Sequence, residues 1–433
     1  MAENDDRKEL MLYHSVRLEA DSCRGCTTCM RYCPTQAIRV QNGKAKIIRE
    51  KCIDCGECVR RCTYRAKKVL SDGFDALNEY KHKIALVAPA FCGQFSKAVN
   101  IDVILTGLKH IGFDDVFEVA RGAEVITKKT KEILSSKEKD GPLISSACPA
   151  VVRLIAVRFP SLSDRVIPLT SPMEAAAQMA RKEAMEKTGL PNEDIGVFFI
   201  SPCPAKVTAV KQPLALTKSD VSGVISVKDV YMKLAQALQS VKEVEKLSVA
   251  DRDGVRWARS GGETEALGIS NYIAVDGIHN VIKMLEELED EKLNNIDFIE
   301  ALACNSGCTG GPLNVENEFV ANSRIRNLTE NLEGQPVSCD GLDLFWDKKV
   351  DYEPFSPLDK DINEAMRKMQ LMEEIYNRLP RLDCGSCGSP NCREFAEDIV
   401  RGKAQERDCI FRLREKIEML AKEIEELGKM INE

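Results

Sequence analysis

The feature that most constrains this chain is the grouping of its 18 cysteines. Eight lie between residues 23 and 62, four stand at residues 148, 203, 304 and 308, and four lie between residues 384 and 409. Cys92 and Cys339 belong to no group. Soft thiolates select iron–sulfur clusters, zinc or copper(I), and the chain has only four histidines. The grouping therefore predicts thiolate-rich metal sites in separate parts of the chain.

The composition is that of an ordinary globular protein. The 433 residues suffice for about three domains, and 44% are hydrophobic and 30% charged. No apolar run is long enough to span a bilayer, and the acidic N-terminus lacks a secretory signal, so we expect a cytoplasmic protein with no membrane partner. In that compartment, grouped cysteines indicate metal or redox chemistry rather than disulfides. A net charge of −7 with interspersed signs argues against nucleic acid as a partner.

The first group of cysteines contains two runs with the same spacing, from Cys23 to Cys33 and from Cys52 to Cys62. The run from Cys23 to Cys33, with spacers of two, two and three residues and a following proline, is that of two-cluster bacterial ferredoxins, in which the fourth cysteine ligates the other cluster. We predict a ferredoxin-like domain over residues 1–80 with two 4Fe–4S clusters, with two zinc sites as the alternative. Residues 59–68 are basic, which indicates a solvated face or a docking patch for an acidic electron carrier. The predicted ligand sets are Cys23, Cys26, Cys29 and Cys62 for the first cluster, and Cys52, Cys55, Cys58 and Cys33 for the second.

The second group follows strand-like apolar runs. These runs alternate with helical ones, for example at 150–159 and 173–187, which predicts an α/β domain with largely parallel sheets. Such sheets hold ligands at the carboxyl ends of their strands. Four thiols at strand ends are the number that one 4Fe–4S cubane needs, although one of them alone would more often be an ordinary buried thiol. The runs are 143–145 before Cys148, 197–200 before Cys203, and 298–303 before Cys304 and Cys308.

These segments resemble the three signature motifs of the catalytic domain of iron-only (FeFe) hydrogenases, over most of residues 83–345. Residues 145–149 resemble the first motif, except that Ala147 replaces the first of two cysteines. Residues 201–206 resemble the second motif, except that Ser201 replaces a methionine. In the third motif Pro312 replaces a glycine, and residues 88–90 resemble the loop that covers the diiron unit. The third-motif residues that match are Glu300, Cys304, Gly307, Cys308, Gly310 and Gly311.

The resemblance implies a two-lobed α/β domain over residues 81–346 that holds an H-cluster, a 4Fe–4S cubane bridged to a diiron unit with CO, CN and dithiolate ligands. Cys148, Cys203, Cys304 and Cys308 would ligate the cubane, and Cys308 would also bridge to the diiron unit. Lys206 would donate a hydrogen bond to a cyanide ligand of the diiron unit. Ser201 replaces a methionine that, in the family, packs near the bridging CO, and Ala147 replaces a cysteine that passes protons. Cys92 is expected to pack in the core, with a substitute proton carrier as the alternative. The remaining residues implied to line the cofactor are Ala88, Pro89, Ala90, Pro202, Glu300, Gly307, Gly310 and Gly311.

The substituted proton relay bears on the expected activity. Alanine carries no titratable proton, and general acid–base relays contribute about 10²–10⁴-fold to rates. We therefore expect slow, reversible turnover (2H⁺ + 2e⁻ ⇌ H₂) in hydrogen or redox sensing, as the resemblance to sensory members of the family implies. The implied partners are H₂ and protons, a ferredoxin or similar electron carrier, and hydrogenase maturation proteins. The alternative is a non-catalytic iron–sulfur protein that lacks the diiron unit and serves cluster assembly or electron transfer.

The third group of cysteines has spacers of two, four and sixteen residues. It is compatible with a third 4Fe–4S cluster, with zinc as the alternative, and resembles the small four-cysteine iron–sulfur domain of several anaerobic redox proteins. We predict that residues 347–410 comprise a connecting helix at 364–378 and this domain. Its predicted ligands are Cys384, Cys387, Cys392 and Cys409.

The last segment has a regular apolar seam. Its steps of four and three residues are typical of a coiled coil, so residues 411–433 predict a coiled-coil helix that forms a parallel homodimer or binds a partner helix. The alternative is a helix that folds onto its own domain. The seam consists of Leu413, Ile417, Leu420, Ile424, Leu427 and Ile431.

Overall fold

The structure is a computed structural model that describes residues 13–96, 99–136, 141–330, 332–350 and 358–431. The acidic N-terminal residues and the last two residues of the predicted coil lie outside the described residues, as does the side chain of Ile431. The described chain forms two compact units. The first contains residues 13–16, 53–56 and 69–350, and the second contains residues 17–52, 57–68 and 358–431. Each predicted domain is one continuous stretch of chain, whereas each of these units contains several separate stretches. The predicted domain boundaries therefore stay predictions.

The described strands, in chain order, are β1 (Val16–Leu18), β2 (Ile38–Gln41), β3 (Lys44–Ile47), β4 (Lys67–Val69), β5 (His82–Val87), β6 (Asp115–Glu118), β7 (Leu143–Ile144), β8 (Ile195–Ser201), β9 (Gly223–Ser226), β10 (Tyr272–Asp276) and β11 (Phe298–Leu302).

The described α-helices are α1 (Thr28–Arg31), α2 (Glu57–Arg60), α3 (Pro89–Cys92), α4 (Ile101–His110), α5 (Val119–Ser136), α6 (Pro149–Arg158), α7 (Pro172–Thr188), α8 (Pro204–Lys211), α9 (Val227–Ala237), α10 (Arg252–Arg256), α11 (Gly262–Leu267), α12 (Ile278–Glu289), α13 (Glu318–Leu328), α14 (Ile362–Arg378), α15 (Cys392–Val400) and α16 (Ile410–Ile431).

Two parallel sheets organise the first unit. One has the strand order β6-β5-β8-β9, with Ile84 opposite Val197, and the other has the order β10-β11-β7, with Ala274 opposite Glu300. Every residue of β8 and β11 is buried, which explains why these strands read as continuous apolar runs rather than alternating ones. The predicted α/β class with parallel sheets is confirmed, while the division into two lobes stays a prediction.

Helices α6 and α8 begin directly after Cys148 and Cys203. Both α6 and α8 have proline at their first position, where its fixed φ suits a helix and its missing N–H leaves no bond unmade. The helix predicted at 173–187 is α7, which begins where the Ser171 hydroxyl accepts a hydrogen bond from the Glu174 amide. The boundaries of α6 and α7 differ from the predicted ones by one residue at each end.

The second unit is built from short elements. β2 and β3 form an antiparallel hairpin whose turn residues Asn42 and Gly43 both have positive φ, as a tight primed turn requires. β1 pairs with β4, and α14 and α15 share an apolar cluster with the C-terminal cysteines. The predicted connecting helix and terminal helix are both present as α14 and α16.

The terminal helix α16 leaves its apolar seam exposed. Its seam side chains from Leu413 to Leu427 are between 41% (Leu413) and 68% (Ile424) accessible, so the described chain does not cover them. No described helix is both long and apolar enough to cross a membrane.

Candidate functional site

The four thiols of the second cysteine group lie at the carboxyl ends of three parallel strands. β7 ends at Ile144, β8 at Ser201 and β11 at Leu302, each two to four residues before the first cysteine that follows it. Cys148 and Cys203 occupy the residues that immediately precede α6 and α8. A thiolate at a helix N-terminus is stabilised by the helix dipole, so the Cys-Pro pair both starts the helix and places the sulfur favourably.

The thiols converge on one lysine. The Lys206 Nζ lies 3.9 Å from the Cys308 Sγ, and Lys206 is within electrostatic reach of all four cysteines. Burial lowers the pKa of Lys206, but the four sulfurs raise it more, so that its pKa lies above the ordinary value. The structure therefore brings together the four predicted cubane ligands and the predicted cyanide-binding lysine.

The donor set fits a cationic iron cluster. Burial raises the pKa of the Cys203 thiol, and neighbouring Cys304 and Cys148 raise it further. Burial also raises the pKa of Cys148, with a further contribution from Cys308. Four soft sulfurs that repel one another as thiolates, in a largely buried place, need a positive centre between them. An iron–sulfur cubane supplies one, and its chemistry matches this ligand set.

The glycines of the third motif are required by the protein backbone. A Cβ on Gly307 would lie 2.7 Å from the amide nitrogen of Ser260, and one on Gly311 would lie 2.3 Å from the carbonyl oxygen of Pro202. A Cβ on Gly310 would lie 2.0 Å from the Asn305 carbonyl oxygen. These glycines let the cysteine loop pack onto adjacent loops, including the one that carries Cys203. Their predicted contact with the cofactor stays a prediction.

A buried pair of carboxyl groups lies beside the first motif. The Ser145 hydroxyl donates to the Glu263 Oε2 at 2.6 Å and accepts from the Ala147 amide at 3.2 Å. Glu300 accepts hydrogen bonds from the amides of Gly261 and Thr264. Burial raises the pKa of both carboxyl groups, and the Glu300 carboxylate raises that of Glu263 further. The pair therefore retains a proton at a pH where exposed glutamates are ionised.

The remaining substituted positions contact their own loops. The Ser201 hydroxyl donates to the Cys203 carbonyl oxygen and accepts from the Cys203 amide, at 2.9 and 3.1 Å, so it shapes the cysteine loop. Cys92 lies in a core cluster that also contacts Cys308. Burial, with a smaller contribution from Glu118, raises the pKa of Cys92 to about 12. These contacts favour the packing interpretation of Cys92 over a proton carrier.

The loop at residues 88–90 follows directly after β5. Ala88 and Ala90 are buried, and Pro89 begins α3. The Ala90 carbonyl oxygen accepts a hydrogen bond from Gln94, whose own oxygen accepts from the amides of Val315 and Glu316. Gln94 thus ties this loop to the segment after the third motif.

Residues 53–56 pack against the same site. Cys55 and Cys148 both pack against the apolar cluster that contains Cys203. A Cβ on Gly56 would lie 2.4 Å from Pro312 Cγ and 2.9 Å from Pro204 Cγ. Pro312, which replaces the expected glycine, therefore packs against the ferredoxin-like cysteine run.

The first ferredoxin-like ligand set surrounds one cavity. Cys23, Cys26, Cys29 and Cys62 line it together with Lys67. Lys67 is 3% exposed, and its Nζ has no hydrogen-bond partner among the described residues. A buried, unpaired ammonium group facing four thiols fits an anionic thiolate-bound cluster.

The second and terminal sets are placed less completely. Cys33 and Cys58 contact one apolar cluster, whereas the grouping of Cys52 and Cys55 with them stays a prediction. At the C-terminus, Cys384 and Cys409 both raise the pKa of Cys387, after burial itself. The three thiols are therefore neighbours, and Cys392 lies in the apolar cluster that also includes Cys387 and Cys409.

Two residues of these sites are missing from the sequence-based predictions. Glu263 lies in a Gly-Gly-Glu-Thr-Glu stretch, in which no local pattern indicates a buried carboxyl group. Lys67 belongs to a basic run that predicts a solvated face. A weak signal for Glu263 is the Ser-Gly-Gly turn before it, which predicts a loop near the cleft.

Family profiles match all three groups of cysteines. The family described as iron only hydrogenase large subunit, C-terminal domain, matches residues 81–271 and 236–312. Together these matches run from residue 81 to residue 312, which is more than half of the 433 residues. A 4Fe–4S dicluster domain matches residues 15–63, and a family described by an Fe–S cluster matches residues 379–411.

Individual relatives are distant. Over 233 residues, the chain is 24% identical to the NADP-reducing hydrogenase subunit HndD of Solidesulfovibrio fructosivorans. The aligned region covers 46% of this chain and 40% of that protein. It is 26% identical over 272 residues to the periplasmic [Fe] hydrogenase large subunit of Nitratidesulfovibrio vulgaris, at 58% and 64% coverage. The chain thus spans less than two thirds of either relative. A solved variant of [FeFe]-hydrogenase HydA1 from Chlamydomonas reinhardtii is 17% identical, with a TM-score of 0.48 and coverage of 61% of this chain and 89% of that one.

Proposed function

Since this chain belongs to the family of iron-only hydrogenase large subunits, we propose that it interconverts protons and hydrogen slowly at an H-cluster and thereby reports hydrogen or redox state. The observation that carries the proposal is the convergence of four thiols from three strand ends on Lys206. When bound, the diiron unit supplies the redox-active irons at which protons and electrons combine to hydrogen. Cys148, Cys203, Cys304 and Cys308 would hold the cubane, and Lys206 would orient the diiron unit.

The proton side of the proposal rests on Glu263 and Glu300. Both are at most 4% exposed, and the hydrogen bond from Ser145 leads from Glu263 towards the backbone of Ala147. The pair would hold a proton, and Ser145 would receive or return it at its hydroxyl. At residue 147 the side chain is a methyl group, so no titratable group extends the route. Proton delivery is the step that would make turnover slow.

The electron side of the proposal rests on residues 53–56. Cys55 and Cys148 pack against the apolar cluster that contains Cys203, and Gly56 fits against Pro204 and Pro312. A cluster held by Cys55 would therefore have its ligand beside the H-cluster site. A ferredoxin or similar carrier would supply or remove the electrons, and hydrogenase maturation proteins would insert the diiron unit.

Isotope exchange tests the proposed activity. Protein matured with the diiron unit should form HD from D₂ in ordinary water, at a low rate followed by mass spectrometry. Cys308→Ala should abolish the exchange, because it removes the thiolate proposed to bridge cubane and diiron unit. Cys339→Ala is the matched control, because Cys339 lies outside the site. If matured wild-type protein forms no HD, the non-catalytic iron–sulfur alternative replaces this proposal.

The terminal helix is proposed to join two copies of the chain. Isoleucine occupies residues 410, 417 and 424, and leucine occupies residues 413, 420 and 427. Isoleucine at a and leucine at d positions favour parallel two-stranded coiled coils. In sedimentation at micromolar concentration, wild-type protein should be a dimer and Leu420→Asp a monomer. Lys422→Asp, on the opposite face of the helix, should remain a dimer. A monomeric wild-type protein would refute the proposed homodimer, and the apolar seam would then be expected to bind a partner helix. A cytoplasmic location is likewise a proposal.

A further inference from the structure

The C-terminal cysteine loop lies directly on the ferredoxin-like hairpin. Both belong to the second unit of the structure. The Val40 amide in β2 donates to the Gly388 carbonyl oxygen at 2.8 Å. A Cβ on Gly388 would lie 2.0 Å from the Val40 carbonyl oxygen, so only glycine allows this approach. Gly388 directly follows Cys387 in the chain.

A buried set of ion pairs holds this contact closed. The Arg39 guanidinium, from the same hairpin, donates to Asp398 at 2.5 Å and to Glu394 at 2.5 Å, both in α15. Lys51 adds a 2.8 Å ion pair with Glu394, and Ser389 donates to Asp398 at 2.6 Å. The side chains of Arg39 and Asp398 are each 5% exposed. Removing one partner of a buried ion pair leaves an uncompensated charge, so this clamp opposes separation.

The clamp also brings two predicted cluster sites together. Met30 follows the first-site ligand Cys29, is fully buried, and its Cε lies 3.0 Å from the Cβ position of Gly385. Gly385 follows the terminal-site ligand Cys384. The Arg31 guanidinium donates to the Cys384 carbonyl oxygen at 3.2 Å. Two ligand-bearing loops are thus in contact one residue away from a ligand on each side.

We propose that the four-cysteine site at residues 384–409 is a second terminus of the electron relay, held by the Arg39 clamp so that it exchanges electrons with the first ferredoxin-like site. One electron would leave a reduced [4Fe–4S]⁺ cluster at the first site, giving [4Fe–4S]²⁺, and reduce a [4Fe–4S]²⁺ cluster at the terminal site to [4Fe–4S]⁺. No proton or bond changes. The inference rests on the iron–sulfur part of the proposed function and not on hydrogen turnover.

The position of Cys409 indicates where an electron on this branch would be located. Cys409 immediately precedes α16, so an electron at the terminal site would reside at the base of the exposed helix. The relay would then carry the redox state of the ferredoxin-like domain to the surface at which a second copy binds, separately from the route through Cys55.

Magnetic coupling between clusters tests the proposal on the full chain. Protein reconstituted with iron and sulfide alone would be reduced with dithionite and examined by electron paramagnetic resonance, with iron counted per chain. Cys384→Ser should lose the iron of one cubane. It should also lose the magnetic interaction between the terminal cluster and the first ferredoxin-like cluster. Gly388→Ala should keep the iron but lose that interaction, because the new methyl group displaces the loop from Val40. Gly402→Ala is the matched control, because Gly402 also has positive φ but nothing within 4 Å of its Cβ position.

The outcomes separate the two proposals. If Cys384→Ser retains all of its iron, the terminal cluster itself is absent and that part of the proposed function fails. If Cys384→Ser loses iron but the magnetic interaction is identical to that of the wild type, the relay branch is refuted while the cluster stands. Should Gly388→Ala not fold, Arg39→Gln opens the same contact from the hairpin side, and retention of the full interaction in that variant would also refute the branch.

Discussion

Replacing Ala147 by cysteine is expected to accelerate hydrogen turnover strongly. The Ala147 amide lies 3.2 Å from the Ser145 hydroxyl, which is 2.6 Å from the Glu263 carboxyl group. A thiol at residue 147 would add the missing titratable group at the end of this hydrogen-bonded chain. General acid–base relays contribute about 10²–10⁴-fold, which corresponds to about 3–5 kcal/mol of activation free energy.

The assay is hydrogen evolution by matured protein with a reduced electron carrier, at equal diiron content. Ala147→Ser is the matched control: its hydroxyl group is similar in size but not acidic, so its gain should be far smaller. The gain from Ala147→Cys should shrink in a Glu263→Gln background, because the new thiol then lacks its carboxyl partner, and the difference measures their coupling. Equal rates in wild type and Ala147→Cys would falsify the interrupted relay. Equal gains with and without Glu263 would show that protons take another route.

Three further perturbations test separate parts of the account. Because burial raises the pKa of Glu263, its ionisation should lower wild-type stability as pH rises above about 4.5, the ordinary glutamate value. Glu263→Gln should reduce this fall without abolishing it, because Glu300 keeps a raised pKa; urea unfolding curves at several pH values measure the difference, and stability curves parallel to those of the wild type would contradict it. Lys67→Met removes a positive charge near the first cluster and should lower its reduction potential in a redox titration; an unchanged potential would exclude Lys67 as a tuning residue. Gly311→Ala should lower the free energy of unfolding by about 1–3 kcal/mol through overpacking and should reduce iron binding. Gly268→Ala is the control, because its Cβ position has open space among the described residues, and it should keep its iron. Equal iron contents in the two variants would contradict the packing role of Gly311.

The strand ends and their cysteines are predictable because local signals coincide there. A short apolar run predicts a buried strand, and the cysteine that follows it is a predicted ligand. The strand is confirmed as β8, while the ligand role of Cys203 stays a prediction. β7 and β11 are neighbours in one parallel sheet, so their carboxyl ends lie at a common edge. β8 belongs to the other sheet, so the approach of Cys203 to the other thiols depends on how the two sheets pack.

The carboxyl pair is not predictable in this way because it depends on long-range packing. Glu263 and Glu300 lie on α11 and β11, and nothing in the sequence near either residue indicates that the other faces it. Lys67 shows the same limit. Its neighbours in the basic run are largely exposed, but β4 pairs with β1 and turns Lys67 inward towards the cluster site.

Chain order also hides which domains pack together. The C-terminal cysteine domain is more than 300 residues from the ferredoxin-like hairpin, yet Arg39 and Asp398 form a buried ion pair. A lone arginine in a short strand predicts a solvated side chain. The glycines of the third motif are implied by the resemblance to line the cofactor, whereas their approach to the protein backbone at Pro202 and Ser260 becomes visible only in the structure.

Infrared spectroscopy tests the central claim most directly. Protein matured with the diiron unit should show bands of metal-bound CO and CN that change between hydrogen and argon atmospheres. Cys308→Ala should lose these bands, and Cys339→Ala should keep them. If the matured wild-type protein shows no such bands while its iron–sulfur clusters are intact, the four thiols around Lys206 do not support an H-cluster and the account is contradicted.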